Sequence, residues 1–168
     1  MRYNLAETSR IYSDTGAYKV LTENDLITLC DGVTNSGSIT LTTGTLAVVC
    51  DLGSRYELGN VFYHRLKATT ETVSFSGKQS VGDVWTNISS SAVGNIVTAT
   101  LSGSEYDYRF LRVGHTVSAG TSTIYELEIV ARDNNILYGE TGEVDNFAVD
   151  TGTADLSIQE IPVYNPDS

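Results

Sequence analysis

Residues Tyr106–Ala131, YDYRFLRVGHTVSAGTSTIYELEIVA, restrict the possible folds of this chain more than any other stretch. Two alternating segments flank a run of small residues, a pattern that predicts two antiparallel strands joined by a loop over His115–Ser122. In the first segment Tyr108, Phe110 and Arg112 fall on one face and Arg109, Leu111 and Val113 on the other. In the second, Ile124, Glu126, Glu128 and Val130 share a face, while Tyr125, Leu127, Ile129 and Ala131 share the opposite, apolar one. Two strands cannot bury an apolar face by themselves, so the chain before them must supply the rest of a sandwich.

That earlier chain reads as strands and turns. Thr8–Ser13 alternates before the turn Asp14-Thr15-Gly16, and Asn24-Asp25 reads as a turn or helix cap ahead of the apolar run Leu26–Cys30. Ile39–Thr42, Leu46–Leu52, Val61–Ala68, Thr72–Ser76 and Asn95–Ser102 are further strands; Leu46–Leu52 is so continuously apolar that it must cross the core. Ser, Thr, Gly, Val and Tyr are abundant, and no window has the period of a long amphipathic helix. The class expected is all-β: an antiparallel jelly-roll β-sandwich of about eight strands, residues 1–132, with an acidic C-terminal extension over 133–168.

Charge divides the chain at the same place. Lys and Arg number 10 and Asp and Glu 13 through Arg132, whereas the 36 residues beyond it hold eight carboxylates and no cation. A net charge of −11 argues against nucleic acid as a partner, since phosphate binding needs a basic patch. No apolar run approaches a membrane span, so no membrane insertion is expected, and no signal peptide is visible after Met1. Phe147, Val149, Leu156, Ile158, Ile161 and Val163 punctuate the acidic extension, a pattern that suggests an arm for assembly or docking. Cys30 and Cys50 sit at apolar strand ends and read as buried free thiols.

Four motifs in order resemble the discoidin, or coagulation-factor C-type, domains, which are galactose-binding-like jelly rolls. They are Tyr3-Asn4-Leu5-Ala6 with Leu29-Cys30-Asp31-Gly32, then LAVVCDLG (46–53), then VGDVWTN (81–87), and finally the Arg-Phe-Leu-Arg-Val and Tyr-Glu-Leu-Glu-Ile-Val of the opening stretch. The family's usual cysteine near each domain end is absent, and nothing after Arg132 belongs to the pattern.

The resemblance implies two kinds of site. One is a structural calcium ion held by Asp31 and Glu126, with main-chain carbonyls near Thr28 and Val33; the competing reading is that Asp31 caps the turn at Gly32 and Glu126 is an ordinary strand residue. The other is a carbohydrate site, built from an aromatic face and a few polar donors. Trp85 occupies a core position of the family pattern, so the better candidates are Tyr18, Tyr56, His64, Arg65 and His115. Arg109 and Arg112 read as structural, with Asp51 or Glu128 as partners for Arg112. No nucleophile elbow, His-Glu-x-x-His or Cys-x-x-Cys occurs, so catalysis is not expected and no organic cofactor is called for.

Two functions follow as expectations. The first is a non-catalytic structural protein of a virus particle, most simply a tailed-bacteriophage capsid decoration or tail subunit. It would be made in the host cytoplasm, homo-oligomeric, in contact with other virion proteins and able to display a cell-surface glycan-binding face. The alternative is a carbohydrate-binding module of a larger secreted or cell-surface protein, hence extracellular.

Overall fold

The computed structural model describes residues 4–14, 18–101 and 107–132. The arm expected over 133–168 lies outside the described residues, as do Tyr3 and Tyr106. A 3₁₀ turn, Leu5–Thr8, opens the chain; then come β1 (Arg10–Ser13), α1 (Glu23–Thr28), β2 (Ile39–Leu66), β3 (Thr70–Lys78), β4 (Thr86–Ile88), β5 (Ser91–Val93), β6 (Ile96–Thr100) and β7 (Asp107–Ala131). All strand pairings are antiparallel, in the order β4-β3-β7-β2-β6-β5, with β1 paired to β2 off that path. The expected jelly-roll sandwich is the fold.

β2 and β7 build it together. The expected strands at 39–42, 46–52 and 61–68 are one bent strand, and so are the two halves of the opening stretch. The first arm of β2 lies along the first arm of β7, from Gly44↔Val117 to Asp51↔Phe110. Its second arm lies along the second arm of β7, from Leu58↔Ala131 to Leu66↔Thr123. The first arms, with β1, β3 and β4, make one layer; the second arms, with β6 and β5, make the other. Leu46, Val48, Cys50 and Leu52 alternate into the space between, answered by Leu111, Val113 and Val117 from β7 and by Val61, Leu127 and Ile129 from the second layer. A fully buried Leu or Ile contributes roughly 1.5–3 kcal/mol of transfer free energy, so this shared interior holds the layers together. Cys30 and Cys50 are both free, and burial pushes both thiols up, Cys50 to about 12.

Two expectations change. His115 is inside β7 rather than in a loop: the ladder runs through His115↔Leu46 on one side and His115↔Val73 on the other. And Ile124, not Tyr125, joins the core. Opposite His64-Arg65 the register steps from Glu126 to Ile124, so Tyr125 is an extra residue and the alternation inverts across it. Gly37 makes this possible by close approach, since a Cβ there would collide with the Ile124 carbonyl oxygen.

At the other end of the early chain, α1 is short but well started. The Thr22 hydroxyl accepts the Asp25 N–H, and the Thr22 N–H donates to the Asp25 carboxylate, each at 3.1 Å. This reciprocal capping contributes about 1 kcal/mol and delivers the chain to the turn at Asp31-Gly32.

Candidate functional site

The first arm of β2 carries a backbone irregularity between Thr42 and Gly44, where Thr43 takes a positive φ of 44°. A β-branched residue in that region is strained, and Thr43 lies on the wall of an open cleft of about 490 Å³. Tyr18, Lys19 and the run 40–45 line it. Lys19 is fixed by its N–H to the Thr45 carbonyl at 2.8 Å. Threonine pairs Thr42–Thr121 (2.8 Å) and Thr45–Thr116 (3.0 Å) tie the rim to β7. An aromatic ring beside a wall of hydroxyls offers both halves of sugar recognition: a flat apolar face and directional polar groups.

Tyr18 is joined to the outward face of the first layer through Arg112. The guanidinium donates Nη2 to the Tyr18 hydroxyl at 3.0 Å and stands 5.6 Å from the Tyr18 ring and 5.8 Å from the Trp85 ring. Its Nε lies 3.0 Å from Asp14 Oδ2 but is not aligned for a hydrogen bond. The partner is therefore Asp14, and not Asp51 or Glu128 as expected. Asp51 instead takes two parallel bonds from Arg109, at 2.8 and 3.0 Å, which hold its carboxyl below the ordinary range.

Trp85 is half-buried and outside the core cluster, which corrects the core position expected for it. It lies just before β4 at the layer's edge, under Lys78 Nζ at 4.7 Å. The same ammonium stands 5.4 Å over Phe110, and Arg109 stands 4.9 Å over Phe110 from another direction. β7 alternation gave Phe110 and Arg112 a common face; what the sequence could not reveal was that β3 brings Lys78 opposite Phe110.

The five residues expected to bind sugar do not converge. Tyr18 alone lines the cleft. Tyr56 is half-buried, facing Tyr108 in the ladder and packed against the core. His64 lies on the outward side of the second layer, its Nε2 3.3 Å from Glu128. Arg65 and His115 are 1% and 0% exposed, between the layers, where a sugar does not reach.

Those last two belong to a buried polar network centred on Glu71, a residue that sequence reasoning passed over. Glu71 Oε2 accepts Arg65 Nε at 2.7 Å, and Oε1 accepts the Ala68 N–H at 3.0 Å and His115 Nε2 at 3.1 Å. Arg65 Nη1 continues to the Gly94 carbonyl at 3.0 Å. Burial alone would raise the Glu71 carboxyl, but the bonds from Ala68, His115 and Arg65 outweigh it and hold it low. Burial lowers His115, outweighing the pull of Glu71, so the imidazole stays neutral. With Nε2–H given to Glu71, Nδ1 is the acceptor for the Tyr63 hydroxyl at 2.9 Å.

At the residues expected to hold calcium, the Asp31 carboxylate accepts the Val33 N–H at 2.9 Å, and Glu126 Oε2 accepts the Gly32 N–H at 3.0 Å. Both features of the competing reading are thus present. Yet Glu126 is 0% exposed and its Oε1 has no hydrogen-bond partner among the described residues. Burial pushes its carboxyl up to about 8. A buried, half-satisfied carboxyl next to an Asp-Gly turn fits either a proton or a hard cation. Asp31 is exposed, and no group of three or more His, Cys, Asp or Glu among the described residues is placed to hold a metal without main-chain oxygens.

No protein-family model matches the sequence, and no curated protein matches it. Solved structures do. One is CpGH89CBM32-6 produced by Clostridium perfringens, at 18% identity and a TM-score of 0.57, over 77% of this chain and 99% of that one. Another is chitosan-binding module 2 of a chitosanase/glucanase from Paenibacillus sp. IK-5, solved with chitotriose, at 19% identity and a TM-score of 0.55 over 76% and 100%. A third is the lectin binding domain of Lectinolysin complexed with Lewis b, at 12% identity and a TM-score of 0.56 over 79% and 99%. At such identities the likeness is one of architecture: these structures share the jelly-roll β-sandwich fold with this chain.

Proposed function

We propose that this chain is a non-catalytic carbohydrate-binding module that takes a glycan in the Tyr18 cleft. The observation that carries the reading is the cleft itself: a tyrosine ring, an adjacent lysine and a threonine-lined wall that includes the strained Thr43. The fold supports it by analogy, since similar structures were solved with chitotriose and with Lewis b bound. The network of Glu71, His115 and Arg65 is buried and internally satisfied, so it serves stability rather than chemistry. The virus-particle reading leans on residues 133–168, which lie outside the described residues, and the module reading therefore takes precedence.

A glycan array probed with the wild-type chain and with Tyr18→Ala tests this. Binding that falls at least tenfold in the variant, with an unchanged circular dichroism spectrum, is the expected result. Undiminished binding would move the site away from the cleft.

A structural calcium ion is proposed beside it, with Glu126 Oε1 and Asp31 supplying carboxylate oxygens and Thr28 and Val33 main-chain ones. Bound there, the ion would neutralise a buried carboxylate and fix the turn after α1.

A further inference from the structure

The core is incompletely closed beside α1. Among the described residues, Ile11, Leu26, Cys30, Tyr56 and Val73 are part-buried apolar side chains packed against it, and the first three converge on a single groove between the segment 6–11 and α1. Ala6 completes the lining on one side, and Ile27, 64% exposed, stands on the α1 wall. α1 has no buried residue, so it leans on the sandwich without being absorbed by it. Burial pushes the Cys30 thiol up, with Cys50, Glu126 and Glu7 adding to the effect, and a thiol kept protonated behaves as one more small apolar group. The groove holds about 290 Å³, just short of the roughly 300 Å³ at which ligand pockets begin, so it suits one or two side chains rather than an oligosaccharide. It shares no lining residue with the Tyr18 cleft.

Charge marks the rim. Glu7 and Glu23, both exposed, stand on opposite walls of the groove, and among the described residues neither takes part in an ion pair. The next carboxylates along the chain are engaged, Asp25 in the cap of α1 and Asp31 with the Val33 N–H. No Lys or Arg lines the groove. Arg10, the cation nearest to it in the early chain, alternates with Ile11 to the other side of β1, where it stands 5.0 Å over the Tyr12 ring.

An apolar floor with an unanswered negative rim selects its occupant by charge. The extension over 133–168 carries eight carboxylates and no cation, so the rim repels it. Two copies docked through this groove about a two-fold axis would set Glu7 and Glu23 against their own equivalents. An anionic lipid surface meets the same repulsion, and a glycan finds no aromatic ring among the lining residues.

We propose that this groove docks a segment of a partner polypeptide in which one or two large apolar residues are flanked by Lys or Arg. The apolar side chains enter between Ile11 and Ile27, over Leu26 and Cys30, and the flanking cations meet Glu7 and Glu23. Burial of the apolar anchors supplies affinity, and the two carboxylates set which segments are accepted.

The probe is a random heptapeptide library displayed on phage and selected against the immobilised full chain. The most enriched sequence is then made as a fluorescent peptide and titrated by polarisation against wild type, Ile27→Ser, Glu7→Gln, Glu23→Gln and the control Val93→Ser, an exposed apolar position on β5. Enrichment of apolar residues flanked by cations is expected, with the dissociation constant raised at least about fivefold by Ile27→Ser and about threefold by each glutamine variant, but less than twofold by Val93→Ser. Thermal melts accompany each titration; should Ile27→Ser fail to fold, the two glutamine variants, both at exposed positions, carry the test. Selected sequences without Lys or Arg, or binding indifferent to Glu7→Gln and Glu23→Gln, would overturn the proposal. So would a selection that enriches nothing.

Discussion

Tyr63 and His115 meet edge to face between the two layers, ring centroids 5.5 Å apart and planes at 90°, with the Tyr63 hydroxyl 2.9 Å from Nδ1. Tyr63 comes from the second arm of β2 and His115 from the first arm of β7, so this contact and the Arg65–Glu71 pair beside it stitch one layer to the other. Removing the hydroxyl with Tyr63→Phe leaves a buried acceptor unpaired and is expected to cost about 1–2 kcal/mol. Glu71→Ala strands the buried Arg65 charge and is expected to cost about 3–5 kcal/mol. Urea denaturation at pH 7 measures both; a Glu71→Ala effect below that of Tyr63→Phe would contradict the central place given to Glu71.

The same network sets the acid limit of stability. Glu71 and His115 both have lowered folded pKa values, so their contributions are present above the unfolded pKa values and are lost as pH falls. In a Glu126→Gln background, where the opposing titration of that carboxyl is removed, stability is therefore expected to fall progressively below about pH 6.5, the ordinary histidine value. His115→Gln should flatten the upper part of that slope, which a series of urea midpoints from pH 4 to 7 would reveal.

Glu126 acts in the opposite direction. Its folded pKa is raised from 4.5 to about 8, so the folded state prefers the protonated acid, and without a cation stability falls as pH rises through that window. Glu126→Gln should abolish the fall and raise stability at pH 8 by roughly 2–3 kcal/mol in chelator. Millimolar calcium should raise the melting temperature of wild type at pH 8 and leave Glu126→Gln unmoved. An equal calcium response in both proteins would exclude Glu126 as a ligand.

Trp85 is the single tryptophan, so selectively excited tryptophan fluorescence reports on the surroundings of Lys78 and Arg112. With Lys78 at 4.7 Å and Arg112 at 5.8 Å, anionic quenchers should gather where cationic ones are excluded, despite the net charge of the chain. Iodide is expected to quench more strongly than caesium, and Lys78→Gln should narrow the difference. Equal quenching by the two ions would show that the local field is not positive.

Gly37 is the position where one added methyl should do most harm, because its neighbour is backbone and cannot rotate away. Gly37→Ala is expected to destabilise by at least about 2 kcal/mol. A thermal melt within a degree of wild type would mean that the bulge at Tyr125 relaxes freely.

Much of the layer architecture was legible because strand signals are local: Leu111 and Val113 on one face of their segment and the continuous apolar run Leu46–Leu52 as a core-crossing strand could be read directly, and so could a turn or helix cap at Asn24-Asp25. What lay beyond sequence reading depends on register between distant segments. Tyr125 looks apolar-facing until the bulge opposite His64-Arg65 inverts it. His115 looks like a loop residue because Gly114 and Ser118 flank it, yet two neighbouring strands enclose it. Trp85 followed the family pattern into the core, whereas the chain places it under Lys78 at the layer's edge. Of the candidate site, Tyr18 was readable as an aromatic near a turn; that Arg112 would join it to Trp85 was not, since the three residues come from three separate segments.

β2 and β7 lie side by side along both of their arms, and neither arm of either strand can be completed without the other. Ile39 must find Ile124, and Leu66 must find Thr123, across most of the intervening sequence. Local hairpins such as β5–β6 can close early, but they bury little. The molecule has few intermediate stopping points: chain-closure entropy is committed before the long ladders repay it, so folding should fall in the millisecond-to-second range of non-local β topologies and proceed as a single cooperative event.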